Sequence, residues 1–246
     1  MSGADLSSVD TIEIVSAVLG SKDEAMLSSS LREATRRCGF EMFMIAVETR
    51  NPVGVSTRFV SSNYPDAWQQ IYTTGNYAET DPTVTHCQSR TEPMLWTESA
   101  FKNVGALPLL EEARSHGIVH GVSVPTHERI NTKSMLSLAR DAPLNNDPRE
   151  LVSLVAAAQV LASCAHFAAS RIQSAKLRQS WSPSLTPQER CCLRWAAQGK
   201  TSWETGQIMN ISEPTVIFHL RNTMKKLNVS NRAQALVAAI WLGLMD

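Results

Sequence analysis

Thr186-Pro187-Gln188-Glu189, Thr201-Ser202-Trp203-Glu204 and Ser212-Glu213-Pro214-Thr215 punctuate the stretch from Ser184 to Leu244. Their regularity decides how the C-terminal part of the chain folds. In the first, Thr186 offers an N-cap hydroxyl, Pro187 takes the first helical position, and Glu189 stands three residues on. This is a capping box, which satisfies the orphan amide donors of a starting helix. Leu193, Trp195, Ala196 and Ala197 follow, and Gly199 is the expected left-handed cap. The second box opens a short helix to about Asn210. Ile211-Ser212 makes a tight turn, and Ser212 caps a third helix. There Val216, Leu220, Met224 and Leu227 step by four, four and three, so they share one face. Ser230 is the expected cap of a fourth helix, with Ala233, Leu236, Val237, Ile240 and Trp241 on its apolar side and Gly243 closing it.

Two short helices, a two-residue turn and a longer helix make a helix-turn-helix reading. The polar face of the longer helix carries His219, Arg221, Asn222, Lys225 and Lys226. Spacing alone fits equally well a four-helix mini-bundle with a solvated basic face.

The chain has 246 residues, enough for two domains and a sizeable core. Its net charge of zero hides an asymmetry. Residues 176–246 hold nine Lys/Arg and four Asp/Glu, a balance of +5, and residues 1–175 hold fourteen and nineteen, a balance of −5. A basic C-terminal module beside an acidic one fits a DNA-binding domain joined to a domain with another task. The five cysteines are odd in number, and Cys191 and Cys192 are adjacent, so no disulfide framework is expected. Their spacing offers no zinc site, and a reducing cytoplasm fits them. The N-terminal residues show no signal-peptide pattern. The apolar run Val152 to Ala169 is broken by Ser153, Gln159, Ser163 and His166, which favours a buried amphipathic helix over a membrane span. No nucleophile elbow, phosphate loop or paired catalytic motif is present, so an enzyme is not expected.

Earlier in the chain, residues 1–9 are polar and expected to be loose. Asp10 is the expected cap of a helix over 11–19, and Ser21-Lys22-Asp23-Glu24 reads as a capping box for a helix closed by Gly39. Phe40 to Val47 and Thr57 to Ser61 read as strands, with a turn at Asn51-Pro52 and Gly54. Asn63-Tyr64-Pro65 starts a helix with Trp68 and Tyr72 spaced by four, and Asp81-Pro82 caps another. A helix bearing Leu109, Leu110, Ala113 and His116 ends at Gly117. Val119 to Val124 and Ser134 to Ala139 read as a hairpin. The expected fold class is α+β: an N-terminal α/β/α sandwich around an antiparallel sheet, then a C-terminal four-helix helix-turn-helix domain. From Asp147 a long helix runs to about Lys176. Its residues Leu151, Leu154, Ala158, Leu161, Ala165, Ala168 and Ile172 form an a/d seam, which suits either a second copy or the chain's own sheet. The domains are placed at 1–176 and 186–246, with a linker at 177–185.

Tyr64, Trp68, Tyr72, Asp81 and Trp96 stand out as candidates for function. Buried Trp and Tyr have polar tips that need partners, and a small amphipathic ligand supplies them. On the residues alone the commoner reading is that they are core aromatics with Asp81 merely a cap, because apolar aromatic clusters are usually core. His86, His116, His120, His127 and His166 are scattered and read as structural or exposed.

At the C-terminus, Leu185-Thr186-x-x-Glu189-Arg190, Gly199-Lys200-Thr201, Ile211-Ser212-Glu213-x-Thr215-Val216-x-Phe218-His219-Leu220, Lys226-Leu227 and Asn231-Arg232-x-Gln234-Ala235 resemble the DNA-binding domain of LuxR-type transcription factors. In the N-terminal part, Asn63-Tyr64-Pro65-x-x-Trp68-x-x-x-Tyr72, Asp81-Pro82-Thr83-Val84, Pro93-x-x-Trp96 and Gly121-x-x-x-Pro125 resemble the autoinducer-binding domain of the same family. The resemblance implies a cytoplasmic, quorum-sensing transcriptional regulator without a cofactor or metal. It implies binding of an N-acyl-homoserine lactone and, as a homodimer, of double-stranded promoter DNA, with RNA polymerase as a further partner and no membrane association; the alternative is a solo LuxR-type regulator that responds to a different small molecule or to none.

Carried over, Trp68 donates to the lactone carbonyl, Asp81 accepts from the ligand amide, and Tyr64 reaches the amide carbonyl. Tyr72 and Trp96 wall the head group. Thr83 and Ser137 add polar contacts, and Met44, Ala46 and Met135 lie along the acyl tail. The DNA contacts implied are Thr201, Ser212, Thr215, Ile217, His219, Arg221, Asn222, Lys225 and Lys226. There are departures. Thr205 replaces the usual aliphatic residue, Gly206 sits inside a helix, and Ile217 takes a groove-facing place more often polar or basic. Glu128 to Lys133 lacks the family's glycines, leaving Asn131 as the residue for a left-handed turn.

Overall fold

The computed structural model describes residues 8–50, 56–128, 132–144, 147–180 and 183–245. The turns expected around Pro52 and Asn131 lie outside these residues. The chain forms two compact units, Met1–Thr49 with Arg58–Gln173, and Arg50–Thr57 with Ser174–Asp246.

The first unit runs α1 (Ser8–Leu19), α2 (Glu24–Arg37), β1 (Met42–Arg50), β2 (Ser56–Ser62), α3 (Asp66–Thr74), α4 (Pro82–Ser89), β3 (Met94–Leu95), α5 (Glu98–Lys102), α6 (Leu107–Ser115), β4 (His120–Glu128), β5 (Thr132–Arg140) and α7 (Pro148–Ser180). Strand order in the sheet is β2-β1-β5-β4-β3. The β1/β5, β4/β5 and β3/β4 pairs are antiparallel. Along β1 every second residue is buried. Phe43, Ile45 and Val47 join Leu136, Leu138 and the buried face of α7 in the main core, while Met44, Ala46 and Glu48 face the other way. That second face is covered by a smaller cluster around Tyr64, Trp68, Leu109, Ala113 and Ile118. The expected α/β/α sandwich is therefore present, and the cavity described below lies on its second face.

Several details differ from the sequence reading. Asp10 lies inside α1 instead of capping it. Asp23, not Ser21, caps α2 by accepting from Met26 N, and the Ser21 hydroxyl donates to Ala17 O at 3.0 Å. Strand β3, helix α5 and a 3-10 turn at Tyr77–Glu79 were not anticipated. His116 caps the end of α6. Helix α7 reaches Ser180, so the expected linker begins inside a helix; it ends at Leu185, which is buried in the C-terminal core. The a/d seam of α7 is occupied: Ala158, Leu161, Ala165, Ala168 and Ile172 pack in the core of the chain's own sheet. Its apolar stretch has mean hydropathy 1.8, enough by length and composition to cross a bilayer. Burial against the sheet covers 39% of that stretch. The exposed side of α7 carries Val152, Val160 and Phe167.

The second unit holds α8 (Pro187–Ala197), α9 (Ser202–Met209), α10 (Glu213–Lys226) and α11 (Arg232–Trp241). Both capping boxes form as the sequence implied, with Thr186 paired to Glu189 and Thr201 to Glu204. Such caps contribute about 0.5–2 kcal/mol each. Asn231, not Ser230, caps α11; Ser230 donates instead to Gln234 Oε1. Cys192, Leu193, Val216, Leu220, Leu227 and Ala238 are central in the core. The core side of α11 is Ala235, Ala238 and Ala239, with the cap residue Leu242 and with Leu236 and Trp241 packed partly against it as expected, while Val237 and Ile240 are exposed.

The two departures in α9 have local reasons. Thr205 is buried, and its hydroxyl is satisfied by donating to Thr201 O at 2.8 Å. A Cβ on Gly206 would sit 2.7 Å from Ile211 O, inside van der Waals contact. The glycine costs about 1 kcal/mol of helix propensity, but it lets the turn into α10 pass close over α9.

Candidate functional site

The cavity on the second face of the sheet has a volume of about 360 Å³. Its wall includes all ten residues expected from sequence to meet the ligand: Tyr64, Trp68, Tyr72, Asp81, Thr83, Trp96, Ser137, Met44, Ala46 and Met135. Helix α3 supplies the aromatic side. Asn63 ties its entry to β1, accepting from Phe43 N at 2.6 Å and donating to Glu41 O at 3.1 Å. The i,i+4 spacing then sets Trp68 and Tyr72 edge to face, with ring centroids 5.6 Å apart. Tyr77 stacks on Trp68 at 6.2 Å, and the His116 ring lies 5.8 Å from it.

Asp81 caps α4 and faces the cavity at once. Its Oδ1 accepts from Thr83 N at 2.8 Å and from Thr83 Oγ1 at 2.7 Å. Its Oδ2 accepts from the Tyr72 hydroxyl at 2.9 Å. Tyr72 and Thr83 therefore hold the carboxyl group in place, a more specific part than walling the head group or adding a polar contact. Burial pushes the Asp81 carboxyl above its ordinary range, against the opposing hydrogen bonds from Thr83, Tyr72 and the Val84 backbone. Burial and the Asp81 charge push both the Tyr64 and Tyr72 hydroxyls well up, so both stay protonated and able to donate. Tyr72 uses its proton on Asp81. The Tyr64 hydroxyl is buried without a hydrogen-bond partner among the described residues, a polar group that needs explaining. Burial, then the Asp81 charge, also raise the neighbouring Cys87 thiol to about 12, which leaves it unreactive.

The sheet side is set by register. Met44 lies across from Ser137, and Ala46 from Met135, so the expected polar contact and tail contacts form successive rows. Trp96 lies against β4 so closely that a Cβ on Gly121 would meet its ring at 2.6 Å. Helix α4 is fastened to the hairpin by His127, whose Nε2 donates to Cys87 O at 2.7 Å, and by Lys133, whose Nζ donates to Gln88 O at 2.7 Å. His166 lies on the other face, buried against Ser134 Oγ at 2.8 Å; burial lowers its pKa, opposed by Glu128.

Sequence reasoning passed over Ser123, which bonds both Trp96 and Ser137. Its place two residues from Gly121 and from Pro125, on one face of a strand, was the available signal.

The second surface is α10. Ile217, Arg221 and Lys225 step by four along its exposed side, with Ser212 exposed at its start and Thr215, His219 and Asn222 half-buried. The Ser212 and Thr215 hydroxyls bond each other at 2.7 Å, and Thr201 caps α9. One expected DNA contact is engaged elsewhere. Lys226 Nζ lies 2.8 Å from Glu189 Oε2 and donates to Ser184 O at 3.0 Å. Burial acts to raise the Glu189 carboxyl, but hydrogen bonds from Lys226 and Thr186 outweigh it and hold the group below its ordinary value.

Residues 183–239 match the family described as bacterial regulatory proteins, luxR family, and residues 23–169 match the autoinducer binding domain. The chain belongs to the LuxR family. It is 32% identical to the transcriptional activator protein AnoR of Acinetobacter nosocomialis, covering 95% of this chain and 98% of that protein. It is 29% identical to the transcriptional activator protein LuxR of Aliivibrio fischeri, covering 96% and 95%. SdiA in complex with octanoyl-rac-glycerol superposes with a TM-score of 0.70 at 25% identity, covering 100% of this chain and 98% of that one. This LuxR-family chain is thus a quorum-sensing transcriptional regulator with an autoinducer-binding domain and a helix-turn-helix DNA-binding domain.

The two α10 lysines should separate. Lys225→Ala should weaken binding to every DNA sequence and lower the salt slope by about one. Lys226→Ala should leave the slope unchanged and lower the melting temperature of the protein. Because the Glu189 pKa is depressed on folding, its ion-pair contribution is present above the ordinary carboxylate range and lost as pH falls through the folded value. The melting deficit of Lys226→Ala should therefore shrink in acid. Salt-dependent DNA titrations and melts at neutral and acid pH check both.

Proposed function

We propose that the cavity binds an N-acyl-homoserine lactone and that the protein, in the cytoplasm, reads promoter DNA as a homodimer. The observation that carries the ligand reading is the pairing of two side chains in one largely apolar enclosure: the fixed Asp81 carboxyl group and the unpartnered Tyr64 hydroxyl. A secondary amide presents one donor and one acceptor, and these two groups are their complements. Asp81 accepts the amide N–H, Tyr64 donates to the amide carbonyl, and the Trp68 indole N–H donates to the lactone carbonyl. Met44, Ala46 and Met135 line the acyl tail.

Thr201, Ser212, Thr215, Ile217, His219, Arg221, Asn222 and Lys225 make the DNA face. One short helix contacts too little DNA for tight specific binding, so two copies would read half-sites about 34–36 Å apart or a multiple of that. With the α7 seam occupied, the exposed Val152, Val160 and Phe167 on α7, and Val237 and Ile240 on α11, are the contacts available to a second copy. RNA polymerase is the further partner of a promoter-bound activator.

A second reading has one specific support. SdiA, whose fold this chain shares, is described in complex with octanoyl-rac-glycerol. An acylglycerol offers a carbonyl acceptor and hydroxyl donors in place of the amide, and Asp81 could accept from a hydroxyl.

Asp81→Asn separates a ligand site from a core cap. The folded Asp81 pKa is raised, so ionisation works against the unliganded fold as pH rises through it. Removing the charge should leave the unliganded melting temperature at neutral pH equal or higher. It should weaken the response to acyl-homoserine lactones about ten- to a hundredfold, the loss of a charge-assisted hydrogen bond worth roughly 1.5–3 kcal/mol. Dose–response curves beside thermal melts check this. A lower unliganded melting temperature with unchanged ligand response would mean that Asp81 is a cap alone.

A further inference from the structure

At one edge of the cavity three side chains form a line of hydrogen bonds running from Trp96 to Ser137. Trp96 Nε1 donates to Ser123 Oγ at 2.9 Å, and Ser123 Oγ lies 2.8 Å from Ser137 Oγ. The two serines face each other across the β4/β5 pair. Ser123 is 0% exposed and is not part of the cavity wall, whereas Ser137 is.

The direction of this line follows from proton counting. An indole N–H only donates, and a hydroxyl has one proton and two acceptor sites. Trp96 fills one acceptor site on Ser123. If Ser123 donates to Ser137, the one proton left over is that of Ser137, which lines the cavity and can meet whatever occupies it. If Ser137 donates to Ser123 instead, both acceptor sites of Ser123 are filled. Its own proton then has no partner among the described residues, in a place water does not reach. Unsatisfied buried donors are costly, so the first arrangement prevails.

We infer that Trp96 and Ser123 are positioning residues that commit Ser137 to donating its proton into the cavity. The receptor thereby favours a ligand with an oxygen acceptor beside Ser137 over one with a methylene or a donor there. Ser137 stands one strand row, about 7 Å, before Met135 and Ala46. The acceptor therefore belongs near the start of the acyl chain, at its first carbonyl or a 3-oxo group. This rests on the acyl-homoserine lactone reading of the cavity and adds to it the residues that set the hydroxyl's direction.

A double-mutant cycle tests it. Affinities for N-octanoyl- and N-(3-oxooctanoyl)-homoserine lactone are measured by calorimetry on the full chain, with unliganded melts alongside. Ser137→Ala should weaken the tighter probe about three- to tenfold, the range of one hydrogen bond. Ser123→Ala, which touches no ligand, should weaken it by a similar factor. The double variant should lose no more than Ser137→Ala alone. Should Ser123→Ala not fold, Trp96→Phe replaces it in the cycle, and its loss should likewise shrink in the Ser137→Ala background. Independent, multiplying losses, or wild-type affinity in Ser123→Ala, would overturn the relay while leaving the cavity reading intact. Wild-type protein that binds neither probe would overturn both.

Discussion

A carboxyl group enclosed among aromatic rings must be held by donors, and the autoinducer-binding domain is arranged around meeting that demand at Asp81. Thr83 supplies two donors from the first turn of α4, and Tyr72 supplies one from α3. One carboxyl group thus both caps α4 and faces the cavity. The cap fixes the carboxyl position, and the position leaves it facing the cavity. The aromatic side follows from the same constraint, because Tyr72 can reach Asp81 only if α3 enters where Asn63 pins it to β1. Among the described residues the buried Tyr64 hydroxyl has no hydrogen-bond partner.

The DNA-binding domain is governed by a different constraint, close packing of short helices. Gly206 allows the turn before α10 to pass over α9. The Lys226–Glu189 pair joins the end of α10 to the capping box of α8, one carboxylate serving both the Thr186 amide and the lysine. A small domain with few buried residues uses its charged side chains in this structural way, and the recognition face is correspondingly narrower than the count of basic residues suggests.

What the chain revealed before its structure was known was mostly local. The capping boxes at Thr186 and Thr201 and the Asp81 cap depend on residues two or three apart, and sequence spacing states them directly. The ten cavity residues were found because the resemblance carried long-range information that spacing does not. Failures fall where distant contacts or near-equivalent caps decide. Asp23 against Ser21, and Asn231 against Ser230, are choices between neighbouring good caps. Lys226 reads as a free cation until Glu189, thirty-seven positions earlier, is brought beside it. The α7 seam has the period of a coiled coil and suited a second copy or the chain's own sheet equally; the main core shows that the chain buries it itself. Strand β3 is two residues long, too short for a periodic signal.

The cavity formed by Tyr64, Trp68 and Asp81 is proposed to take an acyl-homoserine lactone. The most direct measurement is mass spectrometry of the small molecule extracted from protein purified from cells supplied with equal amounts of N-acyl-homoserine lactones and monoacylglycerols. Stoichiometric retention of an N-acyl-homoserine lactone is expected. Retention of a monoacylglycerol in its place, or of neither, would contradict it.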